Sequence, residues 1–419
     1  MRILFATTPA KTIFLYMVPL AWALRTAGHE VRFAAQPGFA DVITQAGLTA
    51  VPIGRDHNPR MTRTSEDAKA ERPGIPAPYD AFDDPAKATW EYLKPGIASA
   101  AREGHRYGNF PLISELVDFA RHWRSDLVIW EPFAFAGAIA AKACGAAHAR
   151  LLFGVDVHGG VRRLYRRLNE QQPPEDRADP LADWLAGYGR KYGFDFSEDM
   201  LTGNFTIDQF PLSLQIEAEG LHYLRMQYVP YGGPAVVPDW LRTPPRRPRV
   251  GLTMGLSATE VYDGYNIDMQ DIFDALADLD IELVATVAES EQRRFPRVPD
   301  NTRMVAYVPW HALAPTCSAV IHHAGAATLA TTALHPVPQL SLHYHYDQPI
   351  LARKLAEHGA GLEIHTSQAT GQAVRDSLLR LLNEPAFRER AHDLRDEIHA
   401  LPTPNQLVPQ LEELTARYR

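Results

Sequence analysis

Ala319-Val320-Ile321-His322-His323-Ala324-Gly325-Ala326-Ala327-Thr328 is a short apolar run that ends in two histidines and passes into a turn of glycine and alanines. The run reads as a buried strand, and a helix is expected to open near Thr328. A strand-to-helix turn of such small residues lets backbone N–H groups and the helix dipole approach an anion closely. A histidine and a threonine flank the turn and add donors, so the stretch predicts a diphosphate cradle. An ordinary strand–helix turn of a parallel sheet is the competing reading, because a glycine-rich turn alone is a weak signal. Val308-Pro309-Trp310 lies upstream of the stretch and Tyr346-Asp347-Gln348 downstream.

Around this stretch the pattern is a series of apolar strands and amphipathic helices. Strands are expected at residues 249–253, 281–287, 303–308, 319–323, 339–342 and 362–364, with helices at 269–279 and 351–358 between them. Residues 228–248, rich in Pro and Gly, precede the series and read as a linker. Ahead of the linker a similar series runs through strands at 2–8, 31–35, 48–53, 127–130 and 149–153 and helices at 17–27, 38–46 and 135–144. Such alternation predicts doubly wound α/β sheets with ligands at the carboxyl ends of the strands. Two α/β domains joined in this way are expected to face each other across a cleft, a preferred place for a ligand. The boundaries are 1–227, the linker 228–248, 249–400, and a last segment 401–419 whose helix follows Pro402-Thr403-Pro404 and crosses back to the first domain.

Composition narrows the function. The 419 residues are 46% hydrophobic and 22% charged, with a net charge of −8, which argues against a general binder of nucleic acid or anionic membranes. Two cysteines, Cys144 and Cys317, lie far apart in apolar surroundings and read as buried free thiols of a reducing compartment. With no apolar run of membrane-spanning length and no signal-peptide pattern, the expectation is a soluble cytoplasmic protein. The loop after the first strand lacks GxGxxG, and Ala35-Gln36-Pro37 stands where a dinucleotide enzyme carries an acidic residue, so a nucleotide-dependent epimerase or oxidoreductase is disfavoured. Residues 54–90 read as a long polar loop. Gly154 to Gly160 follow a strand end and contain Asp156 and His158, either acid/base groups or turn-capping polar residues. Arg162, Arg163, Arg166 and Arg167 cluster on one side of a helix, a solvated face or a docking face for a protein.

With these stretches together, the chain resembles a GT-B glycosyltransferase of the actinomycete family that attaches deoxysugars to polyketide antibiotics, and it is most similar to desosaminyltransferase-like members. Val18 to Arg25 with Ala27 to Val31, Arg124 to Pro132, Tyr228 to Trp240, and Val308 to Gln348 carry the resemblance. It implies two Rossmann-like domains, an acceptor (aglycone) domain first and a nucleotide-sugar donor domain second. The donor would be a dTDP-deoxysugar and the acceptor a hydrophobic polyketide. By the family motif His323, Gly325, Ala326, Ala327 and Thr328 would hold the diphosphate. Val308 and Trp310 would border the thymine, Gly255 and Ser257 would lie near the phosphates, and Asp347 and Gln348 would face the sugar hydroxyls. No metal and no further cofactor is expected, since His343-x-His345 is too small a set for a zinc site. The resemblance also allows a P450-like activator protein as partner, and a homodimer.

One departure bears on the chemistry. The family's first-strand loop carries a histidine that deprotonates the acceptor, and the corresponding position here is Ile13. Loss of a general base costs roughly 10²–10⁴ in rate. Asp156 is the expected substitute for an O-glycosylating enzyme. A C-glycosyltransferase acting on an aromatic polyketide, or a non-catalytic scaffold or activator, are the alternatives.

Overall fold

The computed structural model describes residues 1–57, 73–255 and 264–419. The chain forms two compact units. The first comprises Met1–Gln209, Ile216–Met226 and Pro402–Arg419, and the second Phe210–Gln215 and Gln227–Leu401.

The sheet of the first unit contains β1 (Arg2–Ala6), β2 (Glu30–Ala35), β3 (Ala50–Pro52), β4 (Leu127–Trp130), β5 (Ala147–Leu151), β6 (Phe205–Asp208) and β7 (Tyr223–Arg225). Their order is β3-β2-β1-β4-β5-β6-β7, and every neighbouring pair is parallel. Strands covered on both faces need apolar runs. β1 supplies one: Ile3, Leu4, Phe5 and Ala6 are all buried. Phe5 stacks on Phe33 of β2 at 4.5 Å, and Phe14 meets Phe33 edge-on at 5.2 Å. The helix carrying Phe14 spans Lys11–Thr26, six residues earlier than the apolar spacing suggested. The loop after β1 is therefore only Thr7 to Ala10, and Ile13 sits on the helix's first turn.

β6 and β7 have no counterpart among the expected strands. Both are short, and polar residues interrupt them. Thr206 and Asp208 of β6 are fully buried, with Thr206 Oγ1 accepting from Arg150 of β5 at 3.2 Å and Asp208 lying 4.0 Å from Arg225 of β7.

The second sheet contains β8 (Arg249–Thr253), β9 (Glu282–Thr286), β10 (Thr302–Val305), β11 (Ala319–His322), β12 (Gln339–His343) and β13 (Gly361–His365). Their order is β10-β9-β8-β11-β12-β13, again wholly parallel. Each sheet thus reverses its direction of strand addition once, between β1 and β4 and between β8 and β11. In open α/β sheets such switch points are where ligands bind.

Two segments depart from the expected boundaries. Phe210–Gln215 belongs to the second unit, where the Ser213 amide donates to Glu397 at 3.2 Å. The stretch expected as a linker, 228–248, packs as part of the second unit. Leu241 is buried there, and Trp240 lies under the guanidinium groups of Arg249 and Arg303 at 5.7 and 4.9 Å.

The C-terminal helix, Pro404–Tyr418, does belong to the first unit. Thr403 and Gln406 form a capping box at its start. Leu407, Val408, Leu411 and Leu414 form its buried face. Glu412 meets His29 at 3.0 Å, and Arg419 meets Asp126 at 2.6 Å. Leu411 is fully buried, so Leu411→Ala should destabilise the first unit by roughly 2–5 kcal/mol. Urea unfolding of the variant against wild type measures this.

Candidate active site

The second unit's switch point is built around two adjacent histidines with different tasks. His322 ends β11 and points into the core. Its Nδ1 accepts from the Ala324 amide at 2.9 Å, and its Nε2 meets Gln339 Oε1 of β12 at 2.7 Å, which fixes Nε2 as the protonated nitrogen. Burial pushes its pKa down to about 3. A neutral His322 therefore clamps the turn, and Ala324 within it adopts a left-handed conformation with φ 58°. The helix Ala326–Ala333 follows, with Gly325 as its N-cap and no side-chain cap. The first amide to close onto the helix is that of Leu329, to Gly325 O at 3.0 Å. The amides of Ala326, Ala327 and Thr328 precede it, as the orphan donors of a helix N-terminus do.

His323 lies in a slot between two glycines. A Cβ at Gly255, after β8, or at Gly325 would come closer than 3.0 Å to the imidazole, a separation that real Cβ atoms do not show. Gly255 also has φ 74°, a conformation that favours glycine. Burial pushes the His323 pKa down to about 4. This switch point therefore presents a neutral imidazole beside an open helix N-terminus, the arrangement expected of an anion site. Ser257 lies outside the described residues.

The other residues expected at this site are placed less uniformly. Val308 is buried in an apolar cluster with Leu313, Val320 and Val337, so its side chain is part of the core. Trp310 is half-buried, and its Nε1 donates to Thr332 Oγ1 at 3.0 Å. Asp347 is buried just ahead of the helix Gln348–His358. Gln348 Oε1 accepts from the amides of Tyr344 and His345 at 3.1 and 3.0 Å. The Gln348 carbonyl is thus committed to the loop, and its NH₂ remains as the donor end. His343 pairs with Glu363 at 3.1 Å. No group of three or more potential metal ligands occurs among the described residues.

In the first unit the loops after β1 and β4 are joined by Glu131, which the sequence reading passed over. Its carboxylate accepts from the amides of Thr8 at 3.0 Å and Phe133 at 2.8 Å, is fully buried, and is pushed up to about 7 by burial. The acidic residue at the end of the Leu127–Trp130 run was the available signal.

Asp156 does not suit the role of base expected of it. It is fully buried, pairs with Arg150 at 2.5 Å, accepts from Tyr223 Oη at 2.7 Å, and caps the helix Val157–Glu170 through the Gly159 amide at 2.9 Å. Three donors hold this carboxylate beneath the helix start. His158 follows on the helix's first turn and is half-buried. Phe133 meets its ring edge-on at 5.1 Å, Tyr79 lies at 4.4 Å, and Phe133 stacks on Phe153 at 5.7 Å. His105 is buried behind them, hydrogen-bonded to Tyr79 Oη.

Three of the four clustered arginines, Arg163, Arg166 and Arg167, are exposed, as a solvated face requires, and the fourth is not. Arg162 is buried and bridges Asp179 and Glu198 at 2.7 and 2.6 Å, and Arg163 pairs with Glu219. Cys144 and Cys317 are free thiols, Cys317 buried and Cys144 partly so. No helix among the described residues is long and apolar enough to cross a membrane.

Two outcomes follow from this geometry. Gly325 has an ordinary negative φ of −62°, so Gly325→Ala is tolerated by the backbone and acts through the His323 ring alone. It should displace the imidazole while the fold persists, seen as a changed histidine ring signal in NMR with unchanged circular dichroism. The second outcome concerns acid. His322 and His323 are held at about 3 and 4, against an ordinary value near ~6.5 in the unfolded chain. Within that window the unfolded state binds more protons, so stability rises with pH. The contribution is fully present above about pH 6.5 and is lost as pH falls toward about 4 for His323 and about 3 for His322, and melting temperatures across that range measure it.

Residues 22–255 match the N-terminal domain of the erythromycin biosynthesis protein CIII-like family, and residues 270–414 match its C-terminal domain. The chain is 48% identical to the 10-deoxymethynolide desosaminyltransferase of Streptomyces venezuelae, covering 100% of this chain and 98% of that protein. It is 42% identical to the aclacinomycin-T 2-deoxy-L-fucose transferase of Streptomyces galilaeus, covering 100% and 97%. The crystal structure of the glycosyltransferase VinC in complex with dTDP superimposes with a TM-score of 0.89 at 38% identity, with each chain covered in full. By sequence and by fold the chain belongs to the erythromycin biosynthesis protein CIII-like family, and it is a GT-B glycosyltransferase.

Proposed function

We propose that the chain transfers a deoxysugar from a dTDP-sugar to a hydroxyl of a polyketide-type acceptor, inverting the anomeric carbon. The second unit takes the donor and the first the acceptor. The observation that carries this reading is the neutral His323 set between Gly255 and Gly325 beside the uncapped start of the helix Ala326–Ala333. In the displacement the acceptor oxygen bonds to the anomeric carbon. The carbon–oxygen bond to the diphosphate breaks, and its electron pair stays on the diphosphate. The imidazole N–H and the amides of Ala326, Ala327 and Thr328 stabilise the charge that develops there, as preorganised donors do. Asp347 and the Gln348 NH₂ are the sugar-facing groups of this reading, and Trp310 borders the base.

Ile13 supports a second reading, transfer to carbon ortho to a phenol, where no hydroxyl has to be deprotonated for attack. The two readings differ in the product: a C-glycoside survives acid hydrolysis and an O-glycoside does not, as mass spectrometry of the hydrolysed product shows.

The donor reading is tested with dTDP. Calorimetric titration should show binding, and His323→Ala should lower kcat by roughly 10²–10³ with dTDP-desosamine as donor and 10-deoxymethynolide as acceptor. If dTDP neither binds to wild type nor is released by it, the reading falls.

A further inference from the structure

We propose that His158 is the general base that accepts the proton of the acceptor hydroxyl. The proposal rests on the transfer reading above and names the group that reading leaves open at Ile13.

The loops after β1, β4 and β5 meet at the switch point of the first sheet, where a ligand of this unit would contact the chain. Two carboxylates, Glu131 and Asp156, and two imidazoles, His105 and His158, lie on or against these loops. Glu131 is fully buried between two amides. Asp156 is fully buried against Arg150, Tyr223 and the Gly159 amide. His105 is buried against Tyr79. His158, of the four, retains accessible surface. It stands beside the half-buried rings of Phe133 and Phe153, which stack on each other and offer an apolar ledge next to the imidazole. An acceptor suited to that ledge is a largely apolar ring system carrying a hydroxyl at its edge.

The surroundings keep the imidazole unprotonated ahead of the reaction, and they also weaken it as a base. His158 lies on the first turn of a helix, where the dipole disfavours a positive charge. Burial, then His105 and Arg150, lower its pKa well below the usual value. A neutral ring is a weak base, and the reaction asks little more. When departure of the diphosphate runs ahead of attack, the hydroxyl proton becomes strongly acidic as its oxygen bonds to the anomeric carbon. That proton then passes to the lone pair of the His158 ring nitrogen, while the electron pair of the broken carbon–oxygen bond leaves with the diphosphate.

Asp156 then acts through His158. By capping the Gly159 amide and pairing with Arg150 it fixes the turn that carries the imidazole. Gly159 is required by the same contact, since a Cβ there would meet the Asp156 carboxylate at under 3.0 Å.

The test compares two acceptors with dTDP-desosamine as donor: 10-deoxymethynolide, an alcohol, and 4-nitrophenol, largely ionised in mildly alkaline buffer. His158→Ala and the shape-retaining His158→Gln should each lower kcat on the alcohol by roughly 10²–10⁴, with dTDP affinity unchanged. Transfer to the phenolate should fall less than about fivefold, because an ionised acceptor needs no base. Free imidazole should restore part of the alcohol activity of His158→Ala. Equal losses on both acceptors, or wild-type rates on the alcohol, would overturn the assignment of His158 and leave the transfer reading intact. Absence of dTDP release by wild type with either acceptor would overturn both.

Discussion

The reversal of strand order within each sheet is the constraint on which the rest of the molecule depends. Between β1 and β4, and again between β8 and β11, successive strand-end loops diverge to opposite faces and leave backbone exposed. Whatever chemistry the fold performs must be carried by the few side chains that reach those two points. In the second sheet they are a histidine and a helix start. In the first they are a carboxylate tether, a capped helix turn and an aromatic ledge.

The second switch point shows how one residue type does two jobs on consecutive positions. Successive residues of a strand face opposite sides. His322 therefore enters the core and is spent on Gln339 and the Ala324 amide, while His323 emerges past the strand end into the glycine slot. Both are neutral, so neither brings a fixed charge into a site suited to an anion, and His322 supplies directional hydrogen bonds. The strain of a left-handed Ala324 is the cost of closing this turn with alanine instead of glycine, about 1–2 kcal/mol. The bond to His322 holds it in place.

Much of this was legible in the sequence because parallel sheets demand uninterrupted apolar runs, and β1, β4, β8 and β11 have them. The turn from His323 to Thr328 was legible for a similar reason: a strand end, small residues and a helix start are all local signals. β6 and β7 were not, because buried polar groups break their runs. Thr206, Asp208 and Arg150 read as surface residues until their partners across the sheet are known. The role of Gln348 was also hidden, since nothing local says that its carbonyl folds back onto its own loop. The exchange of Phe210–Gln215 into the second unit has no composition signature, and the proline-rich 228–248 looked like a tether although Trp240 and Leu241 pack on the core.

Asp156 shows why a reactive residue type at the right sequence position can be the wrong residue for the chemistry. A carboxylate buried against a guanidinium adds little net stability compared with an apolar pair, yet removing one partner leaves a stranded charge at a cost of about 3–5 kcal/mol. Such a pair persists where orientation matters more than stability. Here it joins β5, β7 and the start of the helix Val157–Glu170 at one carboxylate, which restrains the adjacent turn. The same arrangement places the positive charge of Arg150 beneath that turn, which disfavours a protonated imidazole above it. A chain organised in this way can tolerate isoleucine at position 13: its proposed proton acceptor is held on the first turn of the helix that follows β5, and the helix after β1 packs Phe14 against Phe33 of the sheet.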